Sequence, residues 1–271
     1  MKIAIQGIEG SFHHQATQKY FTQDIEIVGK NTFPEVFNAL LHDEVDYACV
    51  AIENAIYGSL HENYDLLRSS NLKIVGELFL KIDFSFLVLP GERLESIVKI
   101  LSHPVALKQC QKFLEKLDVE LIEHEDTAGA AKDIATHNLT HTAALASSAA
   151  GKLFGLESLA DAVQDQKNNY TRFLILSKEL TTEIKNKLSL NFRLTNEPGS
   201  LLSILQIIAD HKGNMTKLES RPIIGEVWHY QFYVDIVVDP SIVGSLLSHL
   251  EKATESLILL GNYQSGDFVE N

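Results

Sequence analysis

Cysteine is scarce in this chain: Cys49 and Cys110 are the only two in 271 residues. Both sit inside apolar segments, and no CxxC occurs. Two thiols cannot build the disulfide framework of a small secreted domain. Long apolar runs are missing as well, and none approaches the roughly 20 residues a membrane helix needs. The opening MKIAIQGIEG has one lysine and then a strand-like alternation. It lacks the extended apolar block of an export signal. A cytoplasmic location without a membrane partner is therefore expected. Positive charge is short too: 23 Lys and Arg stand against 36 Asp and Glu, a net charge of −13. That argues against a nucleic-acid partner, which wants a basic stripe. An anionic ligand would have to be held by local donors rather than by the overall field. The eleven histidines are scattered. His13 and His14 lack partners at metal-ligand spacing, so no metal site is expected.

What remains is ordinary for a folded globular protein: 45% hydrophobic and 22% charged residues, enough chain for two domains. From the start to about residue 176, short apolar runs alternate with helical spacing. Strands are expected at KIAIQ, IEIVG, YACVAI, 73–80, 84–89, IVKILSH, VELIEH, TAALAS and the run after NNYTRF. Helices are expected through Ala16 and Tyr20, and over 33–41, 59–67, 104–117 and 127–137. Such alternation predicts an α/β fold with largely parallel sheets. Ligands bind these folds at the carboxyl ends of the strands. A charged stretch, SKELTTEIKNK, reads as a linker or exposed helix. Beyond it the order is LSLNFRLT (strand), PGSLLSILQIIADH (helix, with Pro198 at its start), NMTKLESRPI and VWHYQFYVDIVV (strands), PSIVGSLLSHLEKA (helix) and SLILLGNYQ (strand). This βαββαβ order predicts a ferredoxin-like unit of about eighty residues.

The polar motifs fall at strand ends, where a cleft would be. GIEGSF puts two glycines at a strand-to-helix turn, with Ser11 and Phe12 following. It suits an anion at a helix start, or a plain turn capped by Ser11. AIENAIYGSL ends a strand with Glu53 and Asn54, a candidate proton donor and a candidate amide donor, or a turn. LSHPVALKQC is explained by capping at His103-Pro104, but not at Gln109. EDTAGAA offers Asp126 or Thr127 as a cap, followed by residues small enough for close packing or for a ligand. NNYTRF runs four polar residues, Asn168, Asn169, Thr171 and Arg172, into a core strand. LESRPI groups Glu219, Ser220, Arg221 and Pro222 at a strand end, where a local Glu–Arg pair is the simple explanation.

Taken in order, GIEGSF, AIENAIYGSL, SHPVALKQC, EDTAGAA, NNYTRF, NEPGSL and LESRP resemble the prephenate dehydratase family with its C-terminal ACT regulatory domain. The resemblance implies a catalytic domain over 1–179, with two lobes like those of type 2 periplasmic binding proteins and the active site between them. It implies an ACT domain over 187–271. The implied activity is loss of carbon dioxide and water from prephenate to give phenylpyruvate, in phenylalanine biosynthesis, with no cofactor. The chain looks monofunctional, since MKIAIQ already reads as the first strand. Arogenate as substrate and a non-catalytic amino-acid sensor are the alternatives.

The roles the resemblance implies can be carried residue by residue. Thr171 contacts the leaving hydroxyl, and Glu53 acts as acid if burial raises its pKa. Ser11, Phe12, Asn54, Gln109, Thr127, Arg172 and Phe173 bind substrate. Phe173 walls the ring, and Arg172 either forks onto a carboxylate or fixes the strand from outside. Asn196, Gly199, Ser200 and Leu201 open the first ACT helix and bind the effector L-phenylalanine. Glu219, Ser220, Arg221 and Pro222 close that site across a dimer interface. The expected assembly is a homodimer or a dimer of dimers (homotetramer). Ala55 stands where the family usually has serine, Ala51 where it often has proline, Ser200 where it has alanine, and His13 where it often has serine.

Overall fold

A computed structural model of the chain describes residues 1–223, 225–226 and 229–270. It divides into two compact units: Met1–Asn63 with Leu78–Phe173 and Asp267–Asn271, and Tyr64–Glu77 with Leu174–Gly266. The boundary expected at 179–187 falls inside the second unit.

The chain opens with β1 (Lys2–Gln6), α1 (Phe12–Tyr20), β2 (Glu26–Lys30), α2 (Phe33–Leu41), β3 (Tyr47–Asn54), β4 (Gly58–Ser59), α3 (His61–Ser70) and β5 (Lys73–Lys81). It continues with β6 (Ser85–Val88), β7 (Lys99–Ser102), α4 (Pro104–Gln109), α5 (Gln111–Leu114), β8 (Glu120–Glu123), α6 (Thr127–His137), β9 (Thr142–Ala146), α7 (Ser148–Phe154) and β10 (Glu157–Ala160). The return strand is β11 (Tyr170–Ser177). Then come β12 (Lys187–Arg193), α8 (Ser200–Asp210), β13 (Asn214–Pro222), β14 (Tyr230–Val237), α9 (Val243–Ala253), β15 (Ser256–Tyr263) and β16 (Phe268–Val269).

The first unit has two lobes. One is built on strands ordered β5-β11-β3-β1-β2, with β1 parallel to both β2 and β3. The other is ordered β10-β6-β9-β7-β8, with β7 parallel to β8 and β9, and β6 antiparallel to both neighbours. This is the expected two-lobed α/β arrangement. Its strands are apolar on both faces: Ile3, Ala4 and Ile5 of β1, Ala48, Cys49 and Val50 of β3, and Ala143, Ala144 and Leu145 of β9 are buried. Local chemistry ends the helices where the sequence predicts. Thr32 and Glu35 form a capping box ahead of α2, and Asn138 closes α6 in the left-handed conformation. Ala128, Ala130, Ala131 and Ile134 give α6 a thin buried face that packs close to β9.

Three local expectations are corrected. The single helix expected over 104–117 breaks at Cys110. There the Gln109 carbonyl accepts the Asp165 N–H at 2.7 Å, so Phe113 cannot use it. The first ACT helix does not begin at Pro198: Gly199 is its N-cap with φ 90, a left-handed conformation in which glycine is unstrained, and α8 starts at Ser200. The short α7 and β10 were not expected, and the pattern of β10 gives no signal because three of its four residues are exposed.

The second unit carries strands ordered β13-β14-β12-β15, with α8 and α9 on one face. This is the predicted ferredoxin-like βαββαβ topology. Leu188, Leu190 and Phe192 of β12 meet Ile204, Ile208, Leu246 and Leu250 of the helices. Each such buried side chain is worth about 1.5–3 kcal/mol. Val227 and Trp228, at the head of the strand expected over 227–238, lie outside the described residues. SKELTTEIKNK forms bends and no helix until β12 begins.

Candidate active site

The two lobes of the first unit enclose a cavity of about 390 Å³. Seven expected residues line it together: Ser11, Phe12, Asn54, Gln109, Thr127, Thr171 and Phe173. Asn54 ends β3, Thr171 and Phe173 lie in the first half of β11, Ser11, Phe12 and Thr127 stand at helix starts, and Gln109 is the last residue of α4. Ser11 caps α1 by accepting the His14 N–H at 3.2 Å, which leaves Phe12 and His13 in the first turn. Asp126, not Thr127, caps α6, accepting the Gly129 N–H at 2.6 Å. Thr127 is then the first helical residue. Gly7 has φ 90, a conformation that favours glycine, and a Cβ there would stand 2.8 Å from the Asp126 carboxylate, which would have to shift.

Asn54 is the organising side chain. Its Oδ1 accepts the N–H groups of Ile56 and Tyr57 at 2.9 and 3.1 Å, fixing the turn after β3. Its Nδ2 donates to Thr171 Oγ1 at 2.9 Å, to Asn169 Oδ1 at 2.8 Å and to the Tyr170 carbonyl at 3.3 Å. Thr171 Oγ1 thus receives a hydrogen bond and keeps its own O–H to donate. Asn169, fully buried, links on to Gln109 Oε1 at 3.2 Å. One network therefore joins α4 of the second lobe to β3 of the first. Asn169 belongs to NNYTRF, but the family resemblance assigns it no role.

Glu53 and Arg172 are not among the residues that line the cavity. Side chains alternate along β11, so Thr171 and Phe173 take the cavity face and Arg172 the reverse. The Arg172 guanidinium stands 3.9 Å from the Glu53 carboxylate and 5.9 Å from the Phe79 ring centroid. The expectation that Glu53 supplies a proton gives way to this geometry: it is engaged with a guanidinium behind the wall. Of the two roles weighed for Arg172, fixing the strand from outside is the one this arrangement serves.

The cavity also holds residues for which the sequence suggests no binding role: Gln6, Tyr57, Phe84 and Glu125, with His103 and Asp126, expected only as caps. Phe12 packs edge-on against Phe84 at 5.3 Å, an aromatic contact between strand-end and helix-start residues. His103 caps α4, its Nδ1 accepting the Val105 N–H at 3.2 Å. His13, the departure from serine, packs edge-on against Phe173, and its Nε2 accepts the Ala51 N–H at 3.2 Å. Burial pushes its pKa down to about 4, so it stands neutral in the wall. No lysine or arginine is among the lining residues. Instead α1 and α6 open onto the cavity, and their positive ends and free first-turn N–H groups favour an anion. Among the described residues no group of three His, Cys, Asp or Glu side chains is placed to hold a metal, and no helix is long and apolar enough to cross a membrane.

In the second unit, a smaller cavity of about 140 Å³ lies at the start of α8. Asn196, Ser200 and Leu201 line it, with Thr195, His229 and Phe232 beside them, and Gly199 caps the helix. Glu219, Ser220, Arg221 and Pro222 lie on β13 and are not among its lining residues. The local Glu219–Arg221 pair is replaced by two others: Lys217 reaches Glu219 at 3.0 Å, and Arg221 reaches Asp65 at 2.9 Å.

Residues 3–181 match the family Prephenate dehydratase, and residues 188–255 match the ACT domain. The chain is 38% identical over 277 residues to the chloroplastic arogenate dehydratase/prephenate dehydratase 2 of Arabidopsis thaliana, covering 97% of this chain and 72% of that one. It is 36% identical over 278 residues to the bifunctional chorismate mutase/prephenate dehydratase of Escherichia coli K12, covering 99% and 72%. Among solved structures it is similar to GqqA, a quorum-quenching acylase of a novel type, with 31% identity and a TM-score of 0.88 over 98% of both chains. It shares its fold with the Arthrobacter aurescens prephenate dehydratase in complex with L-Phe, at 24% identity and a TM-score of 0.85, over 97% of this chain and 90% of that one.

Proposed function

The chain belongs to the prephenate dehydratase family and carries an ACT domain, and from that membership we propose that it converts prephenate to phenylpyruvate in L-phenylalanine biosynthesis, under feedback by L-phenylalanine. The observation that carries this reading is Thr171, held by Asn54 with its hydroxyl proton left for the cavity. Prephenate dianion and one proton give phenylpyruvate anion, carbon dioxide and water. The electron pair of the bond to the ring carboxylate moves into the ring as the hydroxyl leaves from the opposite carbon. Thr171 is too weak an acid to give up its proton outright. It donates a hydrogen bond to the departing oxygen, and the one proton in the balance, which turns that oxygen into water, is taken up from bulk solvent. A carboxylate sheds carbon dioxide more readily where water and donors are excluded, and Phe12, Phe84 and Phe173 offer that surface to the ring. The donors of Ser11, Gln109 and Thr127 then serve the carboxylate that the product retains.

A second reading, arogenate as substrate, is favoured by Glu125 and Asp126, which give an ammonium group acidic partners in the cavity. Comparison of kcat/KM for prephenate and arogenate decides between them. If neither yields product, dehydratase activity is refuted and the amino-acid sensor takes its place. The acylase activity of GqqA finds little support in this cavity. Among the described residues Thr171 Oγ1 bonds Asn54 and Ser11 Oγ accepts a backbone N–H, so neither hydroxyl is paired with a histidine base.

For the effector, the start of α8 takes the carboxylate of L-phenylalanine beside Asn196, Ser200 and Leu201. β13 pairs with β14 alone among the described strands, so its outer edge is open. In this reading a second copy covers that edge and brings Glu219–Pro222 against the effector, in a homodimer or a dimer of dimers in the cytoplasm. L-phenylalanine must then favour one state of that assembly by differential affinity. Light scattering with and without L-phenylalanine, alongside inhibition of turnover, tests this. A monomer that L-phenylalanine leaves fully active refutes it.

A further inference from the structure

An amide side chain has nearly the same shape whichever way round it sits, but its two ends have opposite hydrogen-bonding character. Three amides run in series along the cavity wall, and backbone groups set their polarity from one end. Asn54 faces the N–H groups of Ile56 and Tyr57, which can only donate, so the atom there is its oxygen. Its nitrogen faces the Tyr170 carbonyl, which can only accept, and this fixes the same orientation a second time. The Asn169 atom 2.8 Å from that nitrogen must then be Oδ1. Asn169 Nδ2 consequently points to Gln109, 3.2 Å away, and what it meets there must be Oε1. Gln109, which lines the cavity, has its carbonyl occupied by Asn169 and its NH2 group left over to donate.

We infer that Asn169 is a positioning residue: through its buried amide it compels Gln109 to present N–H donors, rather than its carbonyl, to the retained carboxylate of the substrate. Asn169 is fully buried and does not itself line the cavity, so it acts only through its neighbours. A free glutamine would sample both orientations, and in one of them a carbonyl would oppose the anion. The relay also explains why a fully buried amide precedes the core strand at this position. This inference rests on the reading of the cavity as the site of a prephenate-type anion.

Asn169→Asp tests it, because a carboxylate offers only acceptors. Gln109 then turns its NH2 group toward position 169 and its carbonyl toward the ligand. The expected result is a KM for prephenate raised roughly 10- to 100-fold, the scale of a lost hydrogen bond to a charged group, with kcat within about threefold because the retained carboxylate does not react. Gln109→Glu, which removes the same donor, should match it. In a Gln109→Ala background, Asn169→Asp should add less than about threefold, since nothing is left to orient. Asn169→Leu, of similar size and without charge, serves if the buried carboxylate prevents folding: it should raise KM beside Gln109 and not beside Ala at that position. Additive effects of the 169 and 109 substitutions, or a loss confined to kcat, overturn the inference while leaving the functional reading in place. Absence of wild-type turnover on prephenate and arogenate overturns the functional reading, and this inference with it.

Discussion

Asn54 and Thr171 are 117 residues apart in sequence and 2.9 Å apart in space, with the amide donating and the hydroxyl accepting. That direction decides the chemistry available to Thr171. A hydroxyl that accepts from the protein has its proton to offer to a ligand, and one that donates to the protein does not. Asn54→Asp keeps the acceptor for Ile56 and Tyr57 but reverses the bond to Thr171. We expect kcat to fall about 10²- to 10³-fold, the scale of losing one preorganised donor in an active site, and the melting temperature to drop as well, because the same nitrogen donates to Asn169 Oδ1 and the Tyr170 carbonyl; activity is read where the variant is still folded. Steady-state kinetics beside a thermal melt separates this from unfolding.

His13 makes stability depend on pH. Its pKa is lowered from the ordinary 6.5 to about 4 by burial, so the folded chain refuses a proton that the unfolded chain accepts. The stabilisation is complete above pH 6.5 and declines as pH falls toward 4, by up to about 3 kcal/mol at about 1.4 kcal/mol per unit. His13→Gln keeps an acceptor for the Ala51 N–H without a titrating group. Urea unfolding between pH 7.5 and 4.5 should show a shallower decline for this variant than for the wild type.

Both thiols should be inert in the native protein. Burial pushes Cys49 and Cys110 up to about 12, and neither has exposed surface. The thiolate is the reactive form. A thiol-reactive chromophore should label neither cysteine in native protein within minutes, and both in denaturant.

The ACT-containing unit holds a buried ion pair, Lys187 to Glu77 at 2.7 Å, with 3% and 0% of the side chains exposed. Glu77 also accepts the Gly266 N–H at 3.0 Å. Lys187→Met leaves a buried carboxylate without its cation and should cost about 3–5 kcal/mol. Adding Glu77→Gln should recover a substantial part of that loss. Chemical denaturation of the two variants checks both statements.

Much of this was legible in the sequence because local chemistry and burial agree. Alternating apolar runs predict an α/β fold, the division into two lobes came with the family resemblance, and helical spacing over 33–41 matches α2. The βαββαβ order of the C-terminal unit follows from two amphipathic helices between apolar strands. Thr171, Asn54, Gln109, Ser11 and Thr127 were named through the family resemblance, since capping and turn formation account for most of these motifs by themselves, and the structure brings all five to one cavity. What escaped depends on long-range geometry. The break at Cys110 is imposed by Asp165, which no local pattern around residue 110 contains. Glu53 and Asn54 are adjacent in sequence, yet one reaches the cavity and the other turns to Arg172. The part played by Asn169 needed the positions of Gln109 and Asn54 together.

The most direct test of the central claim is phenylpyruvate formation from prephenate by wild type, Thr171→Ser and Thr171→Val, with folding checked by a thermal melt. The account predicts turnover in the wild type, substantial turnover retained by serine, and a kcat lowered at least about a hundredfold by valine, which keeps the shape and removes the donor. Valine turnover equal to that of the wild type would contradict it, since the hydroxyl held by Asn54 would then have no part in the departure of the ring oxygen.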